Sequence, residues 1–343
     1  MRAMVLDETR PAEQNPLSLR ELPMPTPLAG EIRVQVRCCG VCHTDLHTVE
    51  GDLPLPRLPL IPGHQVVGVV DALGDGASSF REGDRVGVPW LYSTDGTCAY
   101  CRREQENLCD NARFTGLHAN GGYAESMIVR DDFAHRIPAQ FDDDHAAPLL
   151  CAGVIGYRAL RLANLHAVTG SGRTQGERLG LYGFGASAHV VLQMARYLGC
   201  EVYVFTRAEK HRELAKRLGA AWVGDARDRA PAPLDSAIIF APAGSLVPEA
   251  LRALRKGGTL ALAGITMSAI PQMDYGLLYQ ERIVRSVANS TREDVRGCLK
   301  LAAEARVETD VQTFALEQAN EALQAVKHSA IPGAAVLRIR PRN

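Results

Sequence analysis

The sequence has no surplus of either charge: its 38 Lys and Arg residues meet 39 Asp and Glu, for a formal net charge of -1. That balance excludes a large electrostatic surface for nucleic acid and a polybasic membrane anchor. No apolar run approaches the roughly 18 residues that a membrane helix needs. The start, Met1-Arg2-Ala3-Met4-Val5, turns polar at Asp7 without a basic n-region and an apolar h-region, so no secretory signal is expected. Internal repeats and low-complexity stretches are also missing. A chain that is 46% hydrophobic and 22% charged is not mainly disordered. Its 343 residues suggest about two domains. The expectation is a soluble, cytoplasmic protein with no nucleic-acid or membrane partner and with reduced thiols. What the chain does have is 9 cysteines, an odd number with three clustered, which fits a metal site better than a disulfide framework.

The first 150 or so residues read as β-rich, with β-branched runs at 32–36, 66–70 and 85–88 separated by Gly, Pro and Asp. Character changes near Leu149, after which strand and helix alternate. Strands are predicted at 179–182, 202–205, 236–240 and 259–263, and helices over 188–198, 209–218 and 248–254. Such alternation implies a parallel sheet covered by helices. Beyond Asn289, helices are predicted over 292–305 and 317–327 and a strand at 335–337, a tail expected to return to the first domain.

Gly183-Phe184-Gly185-Ala186-Ser187-Ala188 follows one strand and opens a helix. Gly183 permits the tight turn, Gly185 lets a pyrophosphate approach the backbone, and small Ala188 allows helix–strand packing. The helix start offers free N–H groups to phosphates. At the end of the next strand, where an NAD site places a carboxylate for the ribose 2′-OH, the chain reads Thr206-Arg207, with Lys210 and Arg212 close by. A hydroxyl and a guanidinium suit a 2′-phosphate, so NADP(H) is expected to be favoured over NAD(H).

Cys42, His64 and Cys151 form a potential Cys₂His set, the composition of a catalytic zinc that leaves its fourth position to water or substrate. Spacing alone makes this a modest signal, because distant residues can always be collected into a triad.

Taken with their surroundings, these motifs resemble the zinc-dependent alcohol dehydrogenases of the medium-chain dehydrogenase/reductase family over essentially the whole chain. GVCHTDLH from Gly40, PGH at 62–64, the cysteines at 98–109, Cys151-Ala-Gly and GFGASAH from Gly183 stand in that family's order and approximate spacing. The resemblance implies an α/β protein in which a GroES-like catalytic domain (1–153 and 289–343) carries an inserted Rossmann domain (154–288), with the active site in the cleft. It implies that Cys42, His64 and Cys151 bind the catalytic zinc, with Asp45 behind His64. Thr44 would hold the substrate hydroxyl and pass its proton through the cofactor ribose to His47. A Lewis acid lowers the pKa of an oxygen it holds, to roughly 7 for water in favourable sites, which prepares an alcohol to lose hydride to a nicotinamide. His43 and Arg292 resemble pyrophosphate contacts, and Trp90 and Leu117 resemble walls of the substrate pocket.

By the same resemblance a second zinc is expected in the lobe containing Cys98, Cys101 and Cys109, giving two per subunit. The family has four cysteines there; Asp95 stands in the first place. Aspartate binds zinc at about 2.0–2.2 Å, so a Cys₃Asp set is chemically reasonable, though harder and less thiophilic; the competing reading is a degenerate lobe whose three thiols stay unmetallated and reduced. Two further departures are Gln65, where glutamate is common, and Ile155, where many members carry threonine. The expected activity is alcohol oxidation or aldehyde reduction, with a small alcohol or aldehyde as partner. A homo-oligomer is expected, a tetramer by analogy because the chain lacks the extra loop of the longer dimeric members. Competing readings are a zinc-free quinone or enoyl reductase on the same scaffold and a non-catalytic NADPH-binding protein.

Overall fold

The computed structural model describes residues 1–165, 176–331 and 333–340. They fall into two units: Met1–Cys151 with Asn289–Ala303 and Glu308–Asn343, and Ala152–Ala288 with Glu304–Val307.

The first unit is organised by the strand Glu31–Val41, in which Ile32, Val34 and Val36 are buried and alternate with Arg33, Gln35 and Arg37. A period of two sends one set of side chains into the core and the other away from it. One edge pairs antiparallel with Gln65–Leu73. The other edge is shared, its first half taken by Ser126–Arg130 and its second by Ala334–Arg338. Ala334–Arg338 also pairs in parallel with Val311–Ala315, so the tail does return to this unit. Arg85–Val88 and His135–Arg136 extend the sheet. The pairing of Gly40 with Gln65 places the residues just after one strand beside the residue just before the other. Cys42 and His64 occupy those two positions.

The second unit has six parallel strands in the spatial order 222–224, 201–205, 178–182, 234–239, 254–262, 283–286. Numbered along the chain this is 3-2-1-4-5-6, the Rossmann order, which reverses between Arg178–Tyr182 and Leu234–Ile239. The middle strands are apolar almost throughout because neither of their faces meets water. Tyr182 stacks on Phe205 at 4.1 Å, and Ile239, Leu251 and Leu260 pack in the same core. The helices Ala152–Leu162 and Ala186–Tyr197 pack on each other.

Several elements depart from the sequence reading, among them the helix Ala152–Leu162 and the short strands Trp222–Gly224 and Ile283–Ser286, which it does not mark. His43–Glu50 is a helix that apolar periodicity does not mark; its start is fixed instead by Asp45, which reaches back to the Cys42 N–H. Leu254–Leu262 is one continuous strand, beginning where the expected helix was to end. No helix of the described residues is long and apolar enough to cross a membrane.

Candidate active site and metal centres

Cys42 caps the helix His43–Glu50, His64 precedes the strand Gln65–Leu73, and Cys151 follows the turn Ala147–Leu150. Their donor atoms converge within the first unit. His64 Nε2 lies 3.5 Å from Cys42 Sγ and 3.4 Å from Cys151 Sγ, and the two sulfurs are 4.0 Å apart. Zinc bonds of about 2.3 Å to sulfur and 2.0–2.1 Å to nitrogen, set tetrahedrally, separate ligand atoms by roughly 3.5–3.8 Å. The donor set therefore fits that ion, whereas sulfurs so far apart are not a disulfide.

Asp45 fixes the histidine. Its Oδ1 lies 3.1 Å from His64 Nδ1 while its Oδ2 accepts from Cys42 N at 2.9 Å, and both side chains are about 2% exposed or less. With Nδ1 turned to the carboxylate, Nε2 is the ring nitrogen facing the sulfurs. Burial alone would favour the neutral ring, but the Asp45 carboxylate and the Cys42 sulfur outweigh it and raise His64 to about 10. The Cys42 thiol is also pushed up, chiefly by its contact with Cys151 and then by burial. A divalent ion must displace these protons, so binding becomes pH-dependent.

Thr44 is buried and His43 exposed on the same helix, and His47 meets Asp52 at 2.8 Å. Trp90 stands edge-on to His64, with centroids 4.8 Å apart, and stacks on Phe114 at 5.1 Å. Leu117 is buried nearby in the chain. Gln65 is buried, and its Nε2 has no partner among the described residues. Arg292 is engaged within the catalytic unit: its backbone N donates to Glu106 at 3.0 Å, its Nη1 to Asp132 at 2.9 Å, and its guanidinium covers Phe133.

The second cluster joins Asp95, Cys98, Cys101 and Cys109, each offering one atom within 4.8 Å of the others. Asp95 is held firmly. Its Oδ1 accepts from the N–H groups of Thr97 and Cys98 at 2.8 and 2.9 Å, and its Oδ2 from Asn111 Nδ2 at 3.0 Å. Asn111, then the backbone donors, hold this carboxyl well below the usual carboxylate range. A fixed anion beside three thiols is a donor set that fits a zinc ion. Sequence reasoning did not find Asn111, although its place two residues after Cys109 was a usable signal.

In the second unit Gly183, at φ +85°, ends the first strand, and a Cβ there would come within 3.0 Å of Ala241 at the reversal of strand order. Gly185 precedes the helix Ala186–Tyr197 and has open space where its Cβ would stand. Ala188 is fully buried. This cradle fits a pyrophosphate, with the N–H groups of Ala186, Ser187 and Ala188 at the helix start. At the next strand end Thr206 is buried and Arg207 exposed, while Arg212 Nε donates to Thr206 O at 2.9 Å. The first carboxylate there, Glu209, lies 3.9 Å from Arg212.

The chain is similar to known proteins in both of its parts. Residues 28–139 match the alcohol dehydrogenase GroES-like domain and residues 188–304 the zinc-binding dehydrogenase family. The chain is 48% identical over 335 residues to a probable alcohol dehydrogenase, AdhA, of Mycobacterium tuberculosis, covering 96% of this chain and 94% of the relative. An alcohol dehydrogenase of Geobacillus stearothermophilus is 35% identical, with 99% of this chain and all of the relative covered. Among solved structures, AibC superposes with a TM-score of 0.90 at 27% identity, over 99% of this chain and 96% of that one. The chain belongs to the zinc-dependent alcohol dehydrogenases of the medium-chain dehydrogenase/reductase family. It is an enzyme of that family, with a GroES-like catalytic part and a Rossmann part.

Proposed function

We propose that the enzyme interconverts small alcohols and aldehydes with a nicotinamide, NADP(H) in preference to NAD(H), and binds two zinc ions per subunit. The observation that carries this reading is the convergence of Cys42, His64 and Cys151 at zinc-ligand separations, with His64 oriented by Asp45. Zinc held there supplies Lewis-acid polarisation of the substrate oxygen, and the nicotinamide supplies the hydride acceptor or donor. The chain's own residues do the rest. Cys42, His64 and Cys151 hold the metal, and Asp45 keeps the imidazole in the ligating tautomer. Thr44 hydrogen-bonds the substrate hydroxyl, and His47 releases its proton to solvent. Trp90 and Leu117 wall the substrate. Gly183, Gly185, Ala186, Ser187 and Ala188 receive the pyrophosphate, and Thr206 and Arg207 recognise a 2′-phosphate. His43 and Arg292 join the pyrophosphate contacts. Asp95, Cys98, Cys101 and Cys109 hold the second zinc.

The reading includes domains at 1–153 with 289–343 and at 154–288, a cytoplasmic location, supported by 9 cysteines none of which is in a disulfide, and a homo-oligomer, a tetramer by analogy with a dimer as the alternative. Oligomerisation is supported by the edge strand Ile283–Ser286, bordered in the sheet on one side only, with Ile283 49%, Tyr275 71% and Tyr279 63% exposed. The deciding experiment is a cofactor and alcohol panel run on metal-quantified protein. Expected are two zincs, turnover that a chelator abolishes, and an NADP preference that falls in Arg207→Ala. Equal efficiency with NAD and NADP, unchanged in that variant, removes the cofactor assignment. NADPH binding with no turnover across the panel identifies a non-catalytic protein, and turnover that survives zinc removal identifies a zinc-free reductase.

A further inference from the structure

The helix His43–Glu50 ends on Gly51, whose φ of +83° belongs to the left-handed region that glycine adopts freely. The turn it makes brings Asp52 back over the last helical turn. Asp52 N donates to His47 O at 3.0 Å, and the Asp52 carboxylate meets the imidazole of the same residue, Oδ2 to Nδ1, at 2.8 Å. One residue thus holds His47 by its backbone and by its ring.

The chemistry of that contact is one-sided. An ionised carboxylate only accepts hydrogen bonds, so Nδ1 carries the hydrogen and Nε2 of the neutral ring keeps its lone pair. The same carboxylate-to-Nδ1 arrangement recurs at Asp45 and His64, where it turns Nε2 toward the sulfurs. At His47 the setting is wetter, with side-chain exposures of 21% for the ring and 58% for Asp52. Of the other charged groups beside this helix, Lys327, on the helix Ala319–Lys327 packed against it, binds Glu13 and Glu50 at 2.8 and 2.7 Å, while His43, on the same helix as His47, is an electrostatic neighbour of His47.

We propose that Asp52 is a positioning residue for proton release, holding His47 in the Nδ1–H tautomer so that Nε2 is the acceptor. The inference rests on the reading of His47 as the group that takes the substrate's proton. In alcohol oxidation the substrate hydroxyl gives up one proton and Nε2 gains it. The ring becomes imidazolium with Nδ1–H still on Asp52, which remains a carboxylate throughout. Water or buffer then removes the Nε2 proton and restores the neutral ring. A partly exposed pair of this kind adds little to stability, so its loss is read in proton handling rather than in folding.

The test uses the zinc-loaded enzyme, three single variants, Asp52→Ala, Asp52→Asn and His47→Gln, and the double variant Asp52→Ala with His47→Gln. Nitrogen-15 spectra of histidine-labelled wild type should show His47 as the Nδ1–H tautomer, and Asp52→Ala should show a mixture. Turnover of a primary alcohol should fall about 5- to 10-fold in kcat in Asp52→Ala with KM unchanged. Asp52→Asn, whose amide oxygen still accepts from Nδ1, should recover at least half of it. In the His47→Gln background, itself slower by about tenfold or more, Asp52→Ala should change nothing further. A wild-type Nε2–H tautomer, or wild-type turnover in Asp52→Ala while His47→Gln is impaired, overturns the positioning role and leaves His47 as proton acceptor. Wild-type turnover in His47→Gln overturns both.

Discussion

The two donor clusters use similar atoms and are built in opposite ways. Asp95, Cys98, Cys101 and Cys109 come from one short stretch, and the chain folds them together through its own turns, Asp95 capping the N–H groups of Thr97 and Cys98. Cys42, His64 and Cys151 are far apart in sequence: antiparallel pairing of Gly40 with Gln65 brings the first two together, and Cys151 joins them from the end of the turn Ala147–Leu150. The first cluster can form locally; the second exists only once the sheet exists. Their electrostatics also differ. The Asp45 carboxylate stands behind His64 and orients it, whereas Asp95 lies among the three cysteines as a candidate donor and is held ionised by Asn111 and the backbone. Three donors suit a metal with one position left open, and four suit a closed site.

The largest expected effect comes from removing a catalytic donor. His64→Ala or Cys42→Ser should lower turnover on the order of a thousandfold or more and reduce zinc from two to one per subunit, with circular dichroism unchanged. A variant that keeps both zincs and its activity would sink the assignment. Next is Asp45→Asn, which leaves all donors in place but loosens His64; metal affinity or activity should fall about 10- to 100-fold, measured by zinc titration and kcat/KM. Wild-type values in that variant would separate Asp45 from the metal.

The lobe should respond differently. Asp95→Cys completes a four-sulfur set, so release of the second zinc to a chelator should slow by about tenfold while turnover stays put. Unchanged release would mean that Asp95 is not a donor. Asn111→Ala should have the smallest effect. Without its principal hydrogen bond Asp95 moves up toward the ordinary value of about 3.9. The carboxylate therefore stays ionised at pH 7 and begins to protonate below about pH 5, so zinc loss should accelerate on acidification and match wild type at neutrality. Equal acid release in the two proteins would place the control elsewhere.

Much of this was legible along the chain, for identifiable reasons. The Rossmann turn is local: Gly183 and Gly185 sit between a strand and a helix that their own apolar patterns mark, so one short stretch was enough. The catalytic donors were readable only in company, since spacing alone does not link residue 42 to residue 151, whereas GVCHTDLH, PGH and Cys151-Ala-Gly in their order do. The helix around His47 escaped notice because it is anchored by a polar cap and not by an apolar stripe. Asp52 was equally invisible: its contact depends on the left-handed turn at Gly51, not on a side-chain pattern. Arg292 is the harder case, because Glu106 lies 186 residues away and no local rule pairs them.

The strand Ala334–Arg338 lies inside the catalytic sheet, between Val311–Ala315 and Glu31–Val41. For a chain made from its first residue onward, this sets a timetable. All six strands of the Rossmann sheet have been synthesised by residue 286, when the catalytic sheet still lacks an inner member. At about 5–20 residues per second, the interval between Cys151 and that strand is roughly 10–40 s. Until that strand is made, the second half of Glu31–Val41 lacks its partner on one edge, beside three candidate metal donors already synthesised.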